Sequence, residues 1–291
     1  MLIKREVTSH DPERVCGPCE EILREYQDGL RSEFANSQRT NTIDTSSVSR
    51  HTNLPYSSTL GSEVRKASYT IHNLLEEQLV KDKSIPLELL ENVVGIAFLT
   101  VVKAGFIFGG RFGTGLVVAK LADGRWSAPS AIGTAGVSWG ALIGGEVTDY
   151  MILLTSLDAV RTFAGNGQIS LGGEIGVSVG PLGRTGAADL HLNKEGGFCT
   201  AYSYSHSKGL FAGVSLEGAV IYARDDVNQT FYAREVTPNG LLLGKVTPPN
   251  AADPLYQALG ELFSRVRNSG GEGNMKEAEM SGTETKGGYD F

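Results

Sequence analysis

The sequence predicts an α+β fold: N-terminal helices, a glycine-rich antiparallel sheet or partly closed barrel, and a C-terminal helix. Three observations predict it. Apolar residues keep helical spacing near residues 64–79 and again at 255–266, while the stretch between them reads as strands separated by turn signals. About two-thirds of the 37 glycines fall within residues 95–218. Helices, strands and a closing helix in that order are segregated, unlike the alternating βαβ pattern of a parallel sheet.

Each element can be justified in turn. Residues 11–34 open on a Cys-x-x-Cys turn and continue as a short amphipathic helix, so residues 1–35 form a unit of their own. Residues 36–59 are rich in Ser, Thr and Asn and read as a flexible linker. One compact domain spans 60–263. Its first helix places Val64, Ala67, Ile71, Leu74, Leu75 and Leu79 on one face, and the acidic Glu76 and Glu77 favour core packing over a place in a membrane surface. Ser84-Ile85-Pro86 resets the chain, with Pro86 suited to the first turn of a second helix through about Glu91. Strand character begins at Val93. Phe106 and Phe108, Leu116-Val117-Val118 and the buried run Met151–Leu154 fit strands, and Asp123-Gly124 fits a hairpin turn. Residues 157–164 fit a short helix, and several short strands are expected to follow as far as Ala233. Leu255–Val266 closes the domain, and the polar, glycine-bearing residues 264–291 are expected to be disordered. Glycine inside a strand loses backbone entropy and buries no side chain, so the concentration at 95–218 predicts sharply bent strands, bulges or close backbone approaches.

Composition excludes several function classes. The formal charge is −7, and each of the segments 1–60, 61–262 and 263–291 is itself net acidic. Bulk attraction to nucleic acid is therefore not predicted, and anion binding must come from a local patch. Three cysteines rule out a disulfide framework. Apolar runs such as Val93–Val102 are too short to span a bilayer, and Lys4, Arg5 and Glu6 precede any apolar stretch, unlike a signal peptide. A cytoplasmic protein is expected.

No motif points to catalysis. GGRFGTG (Gly109–Gly115) fails the spacing of both glycine-rich phosphate loops, and its glycines suit strand bends. Ser138, Ser215, Asp149, Asp189, His191 and His206 contain no nucleophile elbow, and Glu146 with Asp149 reads as a solvated pair. The chain is expected not to be an enzyme. Cys16 and Cys19 have zinc-knuckle spacing, but tetrahedral zinc needs two further ligands, and His10 and His51 are the nearest candidates.

Several segments carry a family resemblance. RVCGPCEEIL (Arg14–Leu23) resembles the closing segment of a FYVE zinc finger, where the last ligand pair sits. From Asn53 to about Leu262 the chain resembles the SYLF domain. The segments are Ser84-Ile85-Pro86, Ala97–Gly105, Gly113–Val117, Asp123–Ile132, Gly180–Arg184 and Tyr202–Gly218 (YSYSHSKGLFAGVSLEG), in order. The combination is most similar to endosomal FYVE/SYLF proteins. The resemblance implies a lipid- and actin-associated module. The leading expectation is a non-enzymatic adaptor that binds phosphoinositides peripherally at endosomal or plasma membranes. The alternative is an actin-filament binding or bundling module, with F-actin or actin-regulatory proteins as partners. Lys103, Arg111, Lys120, Arg125, Arg184, His206 and Lys208 lie in or beside glycine-rich turns, where backbone amides could join them around a phosphate. His206 stands where the family's YSRSKG segment carries arginine, so a site using it should strengthen on acidification towards the histidine pKa of roughly 6.5. The finger is truncated, so Cys16 and Cys19 are read as an incomplete zinc site, and no cofactor is expected unless that finger is completed.

Overall fold

The computed structural model describes the backbone of residues 2–4, 12–14, 18, 35–46, 48–76, 90–164, 166–192 and 198–282; for 166–218 it describes the backbone alone. A small antiparallel ladder pairs β1 (Leu2–Lys4) with β2 (Pro12–Arg14). The domain follows as α1 (Leu60–Glu76), β3 (Gly95–Ala119), β4 (Ser130–Leu154), α2 (Leu157–Ala164), β5 (Asn166–Leu192), β6 (Phe198–Ala223), α3 (Asp225–Tyr232), α4 (Pro238–Leu242) and α5 (Asp253–Gly282). The four long strands form one antiparallel sheet in the order β3-β4-β6-β5. The architecture is α+β, as the sequence predicts.

Helix α1 starts where Thr59 accepts hydrogen bonds from the amides of Ser62 and Glu63, which satisfies part of the first turn. Its stripe of Leu60, Val64, Ala67, Ile71, Leu74 and Leu75 is buried, as the spacing requires. That stripe packs with Ile96, Phe98, Leu116, Val118, Met151 and Leu153 of the sheet and with Leu255, Ala258, Leu259 and Leu262 of α5. A second cluster on the opposite face joins Ala97, Leu99, Val101, Val117, Tyr150 and Ile152 to Ala159, Val160 and Phe163 of α2. Strand residues of alternating parity therefore feed two cores, and the strand ends read as unbroken apolar runs because both faces are covered.

The strands are 25 to 27 residues long, far beyond the usual range of about 3–10. The expected series of short strands is thus replaced by four long ones that double over. The amide of Lys120 donates to the Val94 carbonyl at 2.7 Å, so the two ends of β3 lie side by side. A Cβ added at Gly115 would collide with the carbonyl of Phe98, and one at Gly113 with that of Thr100. Backbone there packs directly against backbone, and only glycine permits that separation. The fold line passes through a β-bulge at Phe106/Phe108 and through Gly144, whose φ of 126° lies where other residues are strained. The glycines that resemble turns are spent on bending strands, not on ending them.

Three other expectations differ from the structure. The described residues of 36–59, expected to be a linker, make tertiary contacts with the domain. Asn41 donates to the carbonyls of Gly61 and Ala251, Asn53 is buried against Thr70, and the Pro55 carbonyl accepts from the Thr114 amide on the edge strand β3. Their polar side chains serve as bonding groups, and this covers part of an exposed edge. Helix α5 continues to Gly282, so residues 264–282 are helical rather than disordered; 283–291 lie outside the described residues. Helices α3 and α4 occupy a region read as strands and loops. Thr237 caps α4 and Pro238 opens it. The start of the helix predicted at Pro86 lies outside the described residues, while Leu90 and Glu91 are helical. The Asp123-Gly124 turn forms as predicted, with Gly124 at a φ of 83°.

Candidate functional site

The predicted cations do not converge on one cradle among the described residues. Lys103 is only 4% exposed and lies directly opposite Glu146, itself 3% exposed, in the β3–β4 register. Arg111 is half-buried inside the fold of the sheet, with its guanidinium 5.9 Å from the Tyr150 ring centre. Lys120 and Arg125 are exposed at the connection between β3 and β4. Lys120 stands 5.8 Å from the Phe263 ring, and Arg125 pairs with Asp123 at 2.7 Å. That pairing holds the Asp123 carboxyl below its usual pKa, chiefly through the Arg125 side-chain hydrogen bond. The backbone register sets His206 opposite Asp149 and Lys208 opposite Val147, and Arg184 belongs to β5. The side chains of Arg184, His206 and Lys208 lie outside the described residues, as do Cys16 and Cys19. Among the described residues no group of three His, Cys, Asp or Glu side chains is placed to hold a metal.

The surface at the fold line is apolar instead. Phe106, Phe108, Phe112, Val137 and Ile143 are 67%, 72%, 38%, 72% and 58% exposed. Phe106 pairs in register with Ile143, and Val137 with Gly110. The phenylalanines share the parity of Leu116 and Val118, so the sheet face that is core at the strand ends becomes exposed apolar surface at the fold line, with the buried Thr114 between Phe112 and Leu116. The Phe106 row continues in backbone register through Ala212 and Val177, and the Phe108 row through Trp139 and Leu216. Contiguous apolar patches of this kind mark interaction surfaces on soluble domains. Sequence reading had used Phe106 and Phe108 only as strand markers. Their alternation among glycines was the available signal, but register was needed to align them with Val137 and Ile143.

A buried charged cluster anchors the neighbouring segment. Glu63 is 1% exposed and meets Lys66 at 2.8 Å and Arg224 at 3.5 Å. Burial raises the Glu63 pKa, outweighing the lowering by the Lys66 ammonium and the Arg224 guanidinium. The two cations spend their remaining donors on backbone: Lys66 on the carbonyls of Leu54 and Thr114, Arg224 on that of Ser57. Arg224 also lies 5.3 Å from the Tyr56 ring, and Tyr56 stacks on Phe112 at 6.2 Å. The segment around Tyr56 is thereby fixed against the rim of the apolar face. None of Glu63, Lys66, Arg224 or Tyr56 was singled out from sequence, because the four meet only through tertiary packing.

Comparison with known proteins supplies an identity for this arrangement. Residues 135–262 match the family model Ysc84, described as Las17-binding protein actin regulator. An SH3 domain-containing protein of Schizosaccharomyces pombe is 46% identical over 223 residues, covering 76% of this chain and 51% of that protein. LAS seventeen-binding protein 3 of Saccharomyces cerevisiae is 42% identical over 225 residues, covering 76% and 49%. The human SH3 domain-containing YSC84-like protein 1 is 40% identical over 228 residues, covering 78% and 66%. The chain spans about half the length of the fungal relatives it matches. No solved structure matches it. No helix among the described residues is long and apolar enough to cross a membrane. Identity of this level, sustained over the doubled sheet and the helices that pack on it, shows that the chain belongs to the Ysc84/SYLF domain family.

Proposed function

We propose that this protein is a non-enzymatic adaptor whose domain engages phosphoinositide-bearing membranes peripherally, at endosomes or the plasma membrane. The observation that carries the reading is the exposed apolar face at the fold line, Phe106, Phe108, Phe112, Val137 and Ile143. An exposed face that carries aromatic residues suits insertion into the boundary between head groups and acyl chains. In water the same face is an uncompensated cost. A cation of the sheet such as Lys208 of β6 would then meet lipid phosphates.

A second reading, binding to actin filaments or to actin-regulatory proteins, is favoured by the family description and by the Las17-binding names of the relatives. Vesicle flotation and filament co-sedimentation separate the two. The membrane reading expects the chain to float with phosphatidylcholine vesicles containing phosphoinositide, and the Phe106→Asp/Phe108→Asp variant to stay in the dense fraction. A chain that ignores vesicles of every composition but pellets with filaments would overturn it in favour of the second reading.

A further inference from the structure

The N-terminal segment, the start of α1 and helix α3 enclose a cleft of about 230 Å³, and the exposed Ser58 stands in its wall. Ser58 is free in a way its neighbours are not. Ser57 donates its amide to the Thr114 hydroxyl and accepts from Arg224 at its carbonyl. Thr59 caps α1, accepting from the Ser62 amide and donating to the Ser62 hydroxyl. The hydroxyl and the backbone of Ser58 bond no other described residue. The chain is irregular from Thr52 to Thr59, and Leu54, Tyr56, Ser58 and Thr59 are exposed along it. A surface segment of this form is open to a modifying enzyme.

The same cleft is lined by Arg39 and Arg65 and, among the described residues, by no carboxylate. Arg65 is held in place: its two terminal nitrogens donate to the Asn41 side-chain oxygen at 2.8 Å and to the Ser62 hydroxyl at 2.9 Å. Asn41 is itself fixed by its amide bonds to the Gly61 and Ala251 carbonyls. These bonds leave other donors of the Arg65 fork unused. Arg39 is exposed at the mouth, and its guanidinium has no hydrogen-bond or ion-pair partner among the described residues. Two guanidiniums thus share one small space with a free hydroxyl and no anion. A phosphoryl group on that hydroxyl would bring a charge of about −1.5 to −2 at neutral pH and three acceptor oxygens. Arginine forks bind such oxygens in pairs. The volume equals that of about eight waters of bulk liquid, room for the group with part of its hydration.

We infer that Ser58 is a phosphorylation site, and that Arg39 and Arg65 receive its phosphate within the cleft. The step joins the Ser58 Oγ to the terminal phosphorus of a nucleoside triphosphate and breaks the bond from that phosphorus to the bridging oxygen. The diphosphate leaves, and the hydroxyl proton passes to the base of a protein kinase. The product ties the segment of Arg39 to the start of α1, beside Tyr56 and its stack on Phe112. It does so whichever partner the apolar face takes. The test uses the full chain with phosphoserine encoded at position 58. Phosphorus NMR should find the second ionisation of the phosphate well below its ordinary pKa of about 6. The phosphorylated chain should also melt roughly 2–4 °C higher than the unmodified one. Arg39→Ala should bring the ionisation back towards the ordinary value and remove the gain in melting temperature. Because Arg39 is exposed, the unmodified Arg39→Ala chain should melt as wild type does. Arg65→Ala should act in the same direction, and Arg125→Ala should change neither readout. An ordinary ionisation in the wild-type background, or a depressed one that Arg39→Ala and Arg65→Ala leave in place, overturns the cleft as receiver. Peptide mass spectrometry of the chain recovered from the cells that make it, with phosphatases blocked, should place phosphate on Ser58 and not on Ser57 or Thr59. Ser58 found unmodified there overturns the site.

Discussion

Among single residues, Glu63 and its two cations show what a buried charge requires. Lys66 and Arg224 each satisfy backbone carbonyls as well as the carboxylate, so removing one partner strands several groups at once. Lys66→Met should lower stability by about 3–5 kcal/mol, read from urea unfolding, since it leaves an inadequately compensated buried carboxylate. The pH dependence has a definite sign. Glu63 has its folded pKa raised above 4.5, mainly by burial, so its protonated form is favoured in the folded state. Its stabilising contribution is full below the unfolded pKa and is lost as pH rises through the folded value. Wild type should therefore gain stability relative to Glu63→Gln as pH falls from neutral towards 4.5. A difference that stays flat across that window would contradict the assignment.

For the elements, β3 shows how a strand can be its own neighbour. Gly113 and Gly115 face the backbone of residues 98–101, while Gly110 has open space around it. Gly115→Ala should cost about 3 kcal/mol through overpacking, and Gly110→Ala should stay within about 0.5 kcal/mol. Thermal or urea unfolding of the pair checks this, and equal losses would show that strand entropy rather than close approach sets the need for glycine. Much of the element list was legible. The α1 stripe, the 157–164 helix, the Met151–Leu154 strand and the Asp123-Gly124 turn follow from local periodicity and turn chemistry. The lengths of β5 and β6 were not, because a glycine that bends a strand looks like one that ends it. Helix α3 was also missed, since DDVNQTFY offers only Val227 and Phe231 as an apolar pair at helical spacing.

Across the whole molecule, the doubled sheet buries its strand ends between two sets of helices and presents its fold line to the outside. Burying a phenylalanine from water gains about 1.5–3 kcal/mol. Losing two should reduce vesicle partitioning by roughly a hundredfold or more. The Phe106→Asp/Phe108→Asp variant tests that magnitude by flotation, with unchanged thermal stability as the accompanying expectation because both positions lie outside the cores. Partitioning equal to wild type would show that the fold line does not meet the membrane.

The sequence by itself determined the α+β class, the helix stripes, the bending of glycine-rich strands and the family resemblance. All of these rest on local spacing or on ordered segments of the chain. Only the tertiary structure decided that the glycine stretch closes back on itself, that Lys103 turns inward opposite Glu146, and that residues 36–59 are bound to the domain. It also decided that the exposed phenylalanines of β3 share a face with Val137 and Ile143, and that Arg39 and Arg65 line one cleft. The physical reason is common to all five. Burial, register and the pairing of charges depend on residues tens to hundreds of positions apart, and no local pattern records which distant group a side chain will meet.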